Sequence, residues 1–235
     1  MRVVHNPIIQ ALEKAVRARG ADPLITWYGT ASGARTELSV RSFANWVDKT
    51  ANLLSSWEVE GSVVVGEVNR TNPGHWMSLV WPLAAWQAGC TYRLGPDPSA
   101  AVVVRGPLDP AALPGQLTVA CSLHPLGLGL RDLPAEVLDF STEALGQSDA
   151  HYVRPVEPTD PAWIDADGTR THSDLLVDPQ PGRTLVQPSD GWQALAAAVI
   201  APLIGGGSAV IVDGELEPTA LARLVATERI TTPMA

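Results

Sequence analysis

Gly61-Ser62-Val63-Val64-Val65-Gly66-Glu67-Val68, the polar stretch 69–74 and the apolar stretch 75–88 closed by Gly89 decide the fold. A glycine-initiated run of β-branched residues has the pattern of a strand buried on both faces, running as far as Val68. The following stretch is long enough for a helix, which Pro82 should kink. Trp76, Trp81 and Trp86 recur along it at intervals of five. They therefore spiral around the axis and read as core and interface anchors, not as one stripe.

The same alternation extends in both directions. Upstream, Asn6-Pro7 caps and opens an amphipathic helix that Gly20 stops. Residues 23–28 form a strand, 35–38 a second, and Ser39 caps a helix to about Trp57. Downstream, strands are expected at 90–94, 101–104, 117–122, 137–140, 162–165 and 183–186. Ser189 caps an apolar helix, 192–204, which Gly205-Gly206-Gly207 ends; a buried strand (208–212), a helix (217–227) and a last strand (230–232) follow. Strands alternating with helices imply an α/β fold of mostly parallel sheets flanked by helices. The proline-rich stretch 155–161 is the best boundary between an N-terminal α/β lobe, 1–155, and a second one, 156–235, unless the two form one continuous domain.

Composition bounds the function. Apolar residues make up 46% and charged residues 17% of 235, which fits a packed body with some apolar surface covered by a partner. The formal charge of −9, with no basic run to offset it, argues against nucleic acid. The charged first twenty residues are unlike a signal peptide, and no window reaches the length of a membrane span. Cys90 and Cys121 lack metal-ligand spacing and read as reduced, buried thiols of a cytoplasmic protein. Neither a metal nor a cofactor is expected. Eight tryptophans and few charges favour self-association.

Residues 38–93 carry a resemblance. A short strand (Thr36-Glu37-Leu38-Ser39) precedes a helix with Ala51-Asn52-Leu53-Leu54. The Gly61-initiated strand comes next, then Asn69 and Pro73, and a helix ending Gln87-Ala88-Gly89-Cys90-Thr91-Tyr92. This order resembles the N-terminal domain of the adenylate-forming (AMP-binding, acyl-CoA-synthetase-like) enzymes. A second match is Ala201-Pro202-Leu203-Ile204-Gly205-Gly206-Gly207 with Ala209-Val210-Ile211. The similarity covers most of the chain, thinly over 105–160, and is that of a family of short proteins with twilight similarity to these enzymes.

That resemblance makes one segment decisive. Adenylate-forming enzymes carry a Ser/Thr/Gly-rich loop ending in Pro-Lys-Gly, which wraps ATP phosphates. The equivalent stretch here is Ala162-Trp163-Ile164-Asp165-Ala166-Asp167-Gly168-Thr169-Arg170-Thr171-His172-Ser173. The loop is short, keeps one glycine and lacks Pro-Lys-Gly; the chain's two lysines, Lys14 and Lys49, lie elsewhere. The resemblance makes Asp167, Gly168, Thr169, Arg170, Thr171, His172 and Ser173 the candidate, degenerate nucleotide-binding loop. Asp165 and Asp167 place negative charge there, which Arg170 alone does not cancel and which costs several kcal/mol against a triphosphate at an effective dielectric of about 20.

By the same resemblance the chain ends at Ala235 before the downstream acidic motif and the C-terminal lid domain with its lysine. Transition-state charge would then meet neither metal nor cation, so no catalytic residue is assigned. The reading is a truncated, non-catalytic relative that binds a nucleotide, acyl or CoA-like small molecule or another protein. Its alternative is a residual enzyme acting on an adenylated or CoA-linked molecule, with a partner supplying the missing parts. A third reading, ester hydrolysis through Ser173 and His172, is weak because three sequence neighbours rarely converge as a triad; helix capping by Ser173 or Thr171 explains them better. His5, His75, His124 and His151, together with Asp109, Asp132, Asp139, Asp160, Asp190 and Asp213, read as surface, capping or turn residues. The glycine-spaced loop 126–130 lacks the flanking elements of a phosphate cradle.

Overall fold

Asn6 opens the first helix as its sequence predicts. In the computed structural model, which describes residues 6–108 and 110–231, its side-chain oxygen accepts from the Ile8 and Ile9 amides at 2.8 and 3.2 Å. The helix α1 (Pro7–Arg19) buries Ile8, Ile9, Leu12 and Ala15. The strands β1 (Pro23–Gly29) and β2 (Ala34–Ser39) pair antiparallel. Ser39 then caps α2 (Val40–Ser56), whose Phe43, Val47, Ala51 and Leu54 face the core.

The valine run forms β3 (Val63–Gly66), and it stops short of Val68. Glu67–Thr71 turns into a short helix, α3. The cause lies at Asn69, which is fully buried: its amide donates to the Ser78 carbonyl at 2.8 Å and its oxygen accepts from the Tyr92 hydroxyl. An extended backbone would remove that side chain from both partners. The next helix, α4 (Trp76–Gln87), is buried at every position. A helix apolar all round belongs inside, which accounts for the spiral of tryptophans. Trp76, Trp81 and Trp86 are core residues and none reaches a surface.

Five further strands and a hairpin strand complete a seven-stranded sheet: β4 (Thr91–Arg93), β5 (Val102–Arg105), β6 (Leu117–Ala120), β7 (Val137–Asp139), β8 (Pro161–Asp165) and β9 (Gly168–Thr171). The order is β7-β6-β5-β3-β4-β8-β9, parallel throughout except for β9. A helix that weak sequence patterning hides, α5 (Phe140–Leu145), follows β7 and starts on an Asp139 cap. The second sheet takes β10 (Arg183–Val186) and β11 (Ser208–Asp213) in the order β10-β11-β1-β2. Both 1–155 and 156–231 therefore contribute strands to both sheets, and one apolar cluster reaches from Ile8 to Ile211.

Asp190, not Ser189, caps the helix before β11: its carboxylate accepts from the Gln193 amide, while Ser189 donates to Asp190. That helix runs as α6 (Gly191–Leu195), a π-type turn at Ala196–Ile200 and α7 (Ala201–Gly205). Pro202 lacks the amide hydrogen that regular winding would require, and the widened turn before it absorbs the mismatch. Gly206 closes the helix at φ 81°. The helix α8 (Pro218–Thr227) lies on the outside with no fully buried residue. Ile230 and Thr231 form no strand, although the Thr231 amide donates to the Arg183 carbonyl; residue 232 lies outside the described residues.

Candidate functional site

Two places deserve the name: the segment that sequence reasoning singled out, and a crevice that it missed. The first is closed. Asp165 pairs with Gly168 across a two-residue turn, so 161–171 is a tight β8–β9 hairpin at the sheet edge and not a phosphate-wrapping loop. Gly168 sits at φ 132°, a conformation that side chains disfavour. The expected pair of free carboxylates is also corrected. Asp165 turns back on the hairpin, accepting from Trp163 Nε1, from the Asp167 amide at 3.0 Å and from Arg170 at 3.1 Å. Its side chain is 10% exposed, so its charge is spent on Arg170, and only Asp167 stands free in solvent. Arg170 in turn lies over the Trp192 ring, 4.4 Å from its centre, and Trp192 packs on Trp163. The hairpin is thereby riveted to the start of α6.

The remaining residues of that segment do not share one surface. Thr169 is exposed, and Thr171 with Asp174 forms a capping box on the 3₁₀ turn His172–Leu175. Ser173 bonds to Thr171 at 2.8 Å. His172 is 2% exposed, and its Nδ1 faces the Asn6 amide at 2.7 Å. Burial lowers its pKa below the usual histidine value despite nearby Asp160, so the ring is neutral. Neither Ser173 nor a carboxylate is hydrogen-bonded to it, so no hydrolytic arrangement forms among the described residues.

The second place lies beyond the carboxyl ends of β3, β5 and β6, where the strand order reverses direction. Open parallel sheets leave a crevice at such a point. Here it measures about 410 Å³ and is lined by Glu67, Arg70, Thr71, Asn72, Arg105 and Leu123, among others. Arg105 is 9% exposed and holds Glu67 at 3.0 Å and the Ala111 carbonyl at 2.8 Å. Arg70 projects into solvent at the rim. The sequence signal was present: polar residues directly following two apolar strand runs, Gly66-Glu67 and Arg105-Gly106. A helix was not expected at 67–71, so Arg70 was not placed beside Arg105.

The other candidates have structural duties. His75 caps α4, its Nδ1 accepting from the Met77 amide at 3.2 Å, and its ring packs edge-on to Trp27. Burial pushes its pKa down to about 3, opposed in part by the Leu123 backbone. His124 accepts from the Leu126 amide, and His151 meets Ser55 at 3.2 Å. Asp213 accepts from Trp27, and burial raises its pKa. Asp139 caps α5 and Asp160 holds the Glu157 amide. Cys90 and Cys121 are buried free thiols. His5 and Asp109 lie outside the described residues. Among the described residues no cluster of His, Cys, Asp and Glu is arranged for a metal ion, and no helix is long and apolar enough to cross a membrane.

Comparison with known proteins places this architecture. No family model matches the chain. A Mycobacterium tuberculosis protein named only by a family designation is 27% identical over 260 aligned positions, spanning 94% of each chain. Among solved structures, the N-terminal domain of FACL13 from Mycobacterium tuberculosis superposes with TM-score 0.68 at 14% identity, covering 100% of this chain and 63% of that one. ATP-bound MatB from Rhodopseudomonas palustris gives 0.71 at 19%, covering 99% and 49%. A benzoate CoA ligase from Burkholderia xenovorans gives 0.69 at 14%, covering 98% and 50%. The chain spans about half the length of these last two proteins and has the fold of an N-terminal domain of acyl-CoA ligases.

Proposed function

We propose that this chain is a ligand-binding module on the N-terminal-domain fold of the adenylate-forming ligases, and that it does not itself form an adenylate. The observation that carries the reading is the β8–β9 hairpin. Where the resemblance expects a loop wrapped around phosphates, the chain has a two-residue turn whose amide at Asp167 already serves Asp165. Its one arginine is likewise committed, to Asp165 and the Trp192 ring. Transition-state charge on a phosphoryl group needs preorganised donors, and this segment has none to spare. The seven-residue segment 167–173 thus serves as a structural rivet.

A ligand would enter the crevice at the ends of β3, β5 and β6 instead. Its walls combine the solvent-facing guanidinium of Arg70 with Thr71, Asn72 and the apolar Leu123, while Glu67 is neutralised by Arg105, a composition suited to a nucleotide, acyl or CoA-like anion. One similar structure is described as ATP-bound and another as a benzoate CoA ligase, which supports that ligand class. The net charge of −9 disfavours nucleic acid as the partner. The two free thiols suit the cytoplasm, and exposed Leu126, Leu128 and Leu145 offer apolar surface for pairing with a second copy.

Calorimetric titration of AMP, ATP and CoA tests the reading. Saturable binding that Arg70→Glu weakens tenfold or more, with no pyrophosphate released from ATP and a panel of carboxylic acids, is the expected result. Pyrophosphate release by the isolated chain overturns it. Light scattering on the same sample reports the oligomeric state.

A further inference from the structure

The hydrogen bond between Asn6 and His172 fixes where the imidazole proton lies. Asn6 Oδ1 accepts from the Ile8 and Ile9 amides, so the end facing His172 is the NH₂ group. An amide NH₂ only donates. Nδ1 is therefore the acceptor, and the neutral ring carries its proton on Nε2. Among the described residues that N–H meets no acceptor, although the side chain is only 2% exposed.

His172 lines a cavity of about 310 Å³ whose other walls include Pro7, Val156, Pro158, Ser173 and Leu176. Four of these are apolar, and the polar lining residues are His172, Ser173 and, on α1, Gln10. Through Pro7 and Leu176 the cavity joins a larger groove of about 830 Å³ between α1 and α7. Lys14, Arg17 and Arg19 line that groove against a single carboxylate, Glu13. This is a local excess of positive charge on a chain of net charge −9. Such a rim draws anions towards the cavity mouth.

We propose that this cavity is a second ligand site, which takes a small, mainly apolar molecule presenting a carbonyl or carboxylate oxygen to the N–H of His172. The site is independent of the crevice at Arg70 and of the function assigned to it. The apolar walls bury the hydrocarbon part, His172 supplies the specific hydrogen bond, and the basic groove favours a carboxylate over a neutral carbonyl.

Hexanoate and hexanamide are suitable probes, titrated calorimetrically into the full chain. Saturable one-to-one binding of at least one of them is expected, with hexanoate the tighter. Leu176→Trp fills the cavity mouth from an exposed position that tolerates the larger ring, and should weaken binding at least tenfold. His172→Phe should do the same, but it also deprives Asn6 of its acceptor; Leu176→Trp therefore keeps the test valid if that variant unfolds. Arg70→Glu should leave both affinities unchanged. The proposal fails if neither probe saturates, if Leu176→Trp binds as well as the parent, or if Arg70→Glu abolishes binding. Preference for hexanamide would reassign the natural ligand to a neutral carbonyl compound within the same site.

Discussion

Asn6 and His172 stand 166 residues apart in the chain and 2.7 Å apart in space. One side chain thus performs two tasks: it caps α1 with its oxygen and holds the turn after the β8–β9 hairpin with its nitrogen. Asn6→Ala should cost about 2 kcal/mol, roughly 1 from the lost cap and the rest from the stranded imidazole nitrogen. Asn6→Asp should keep the cap but not the donor, and so lose about half as much. Urea unfolding of the two variants separates the contributions. Equal losses would mean that the cap contributes nothing, and an Asn6→Asp variant as stable as the parent would mean that the bond to His172 contributes nothing.

The hairpin offers a second test. Asp165 accepts from Trp163, Arg170 and the Asp167 amide, so Asp165→Ala removes three partners at once. Leaving partly buried donors unpaired should cost about 1–3 kcal/mol. Removing this negative charge should not by itself make the hairpin bind ATP, because a two-residue turn is too short to wrap a triphosphate even with the Asp167 amide freed. Calorimetry with ATP on Asp165→Ala in the Arg70→Glu background, which weakens the crevice site, decides: submillimolar affinity appearing there but not in Arg70→Glu alone would restore charge, rather than loop length, as the reason for a closed site.

Much of this architecture was legible from local chemistry. Asn6, Ser39 and Gly206 end or begin helices where capping rules place them, and the valine run at 63–65 is a central parallel strand. The failures share a cause: side chains whose partners are distant in sequence. Asn69 bends the chain into α3 because Tyr92, 23 positions away, supplies its hydrogen bond. Asp165 looked like a free charge because its partner Arg170 becomes its neighbour only once the hairpin forms. The crevice was missed for the same reason. Arg70 and Arg105 lie on different elements, and only the strand order β5-β3 brings them together.

Tyr92 sets a strict limit at Gly66. A Cβ built on Gly66 would lie 2.0 Å from the Tyr92 hydroxyl and 2.3 Å from its Cζ. Tyr92 cannot retreat, being fully buried and stacked against Trp163. Gly66→Ala should therefore cost about 3 kcal/mol or more, through overpacking and loss of the bond to Asn69. Adding Tyr92→Phe should recover part of that loss by removing the hydroxyl nearest the new methyl. A chemical-denaturation cycle over the two single variants and the double variant measures the coupling.

Because both halves of the chain supply strands to both sheets, we expect 1–155 and 156–235 to unfold together. Tryptophan fluorescence and far-ultraviolet circular dichroism should give one coincident urea transition. Two separated transitions would establish two independent lobes.

The buried histidines predict a pH dependence whose sign is fixed. The pKa of His75 falls from about 6.5 unfolded to about 3 in the folded chain, chiefly through burial. Between those values the unfolded state takes up a proton that the native state refuses, so stability falls as pH drops below 6.5. One such group contributes a slope of at most about 1.4 kcal/mol per pH unit. His151 and His172, also lowered by burial, act in the same direction. Asp48 opposes them, because burial raises its pKa to about 6 and the native state then binds the extra proton. Glu228 enters only at lower pH. Burial would raise its pKa, but hydrogen bonds from Tyr28, Arg35 and Arg183 outweigh that and hold it at about 2, so its contribution fades between 4.5 and 2. Asparagine is a good helix cap, and His75→Asn removes the titrating ring from α4 while keeping an acceptor at that position. The parent should lose about 1–2 kcal/mol more than His75→Asn between pH 7 and pH 5. Parallel stability profiles for the two proteins over that interval would show that the His75 pKa is not depressed by burial.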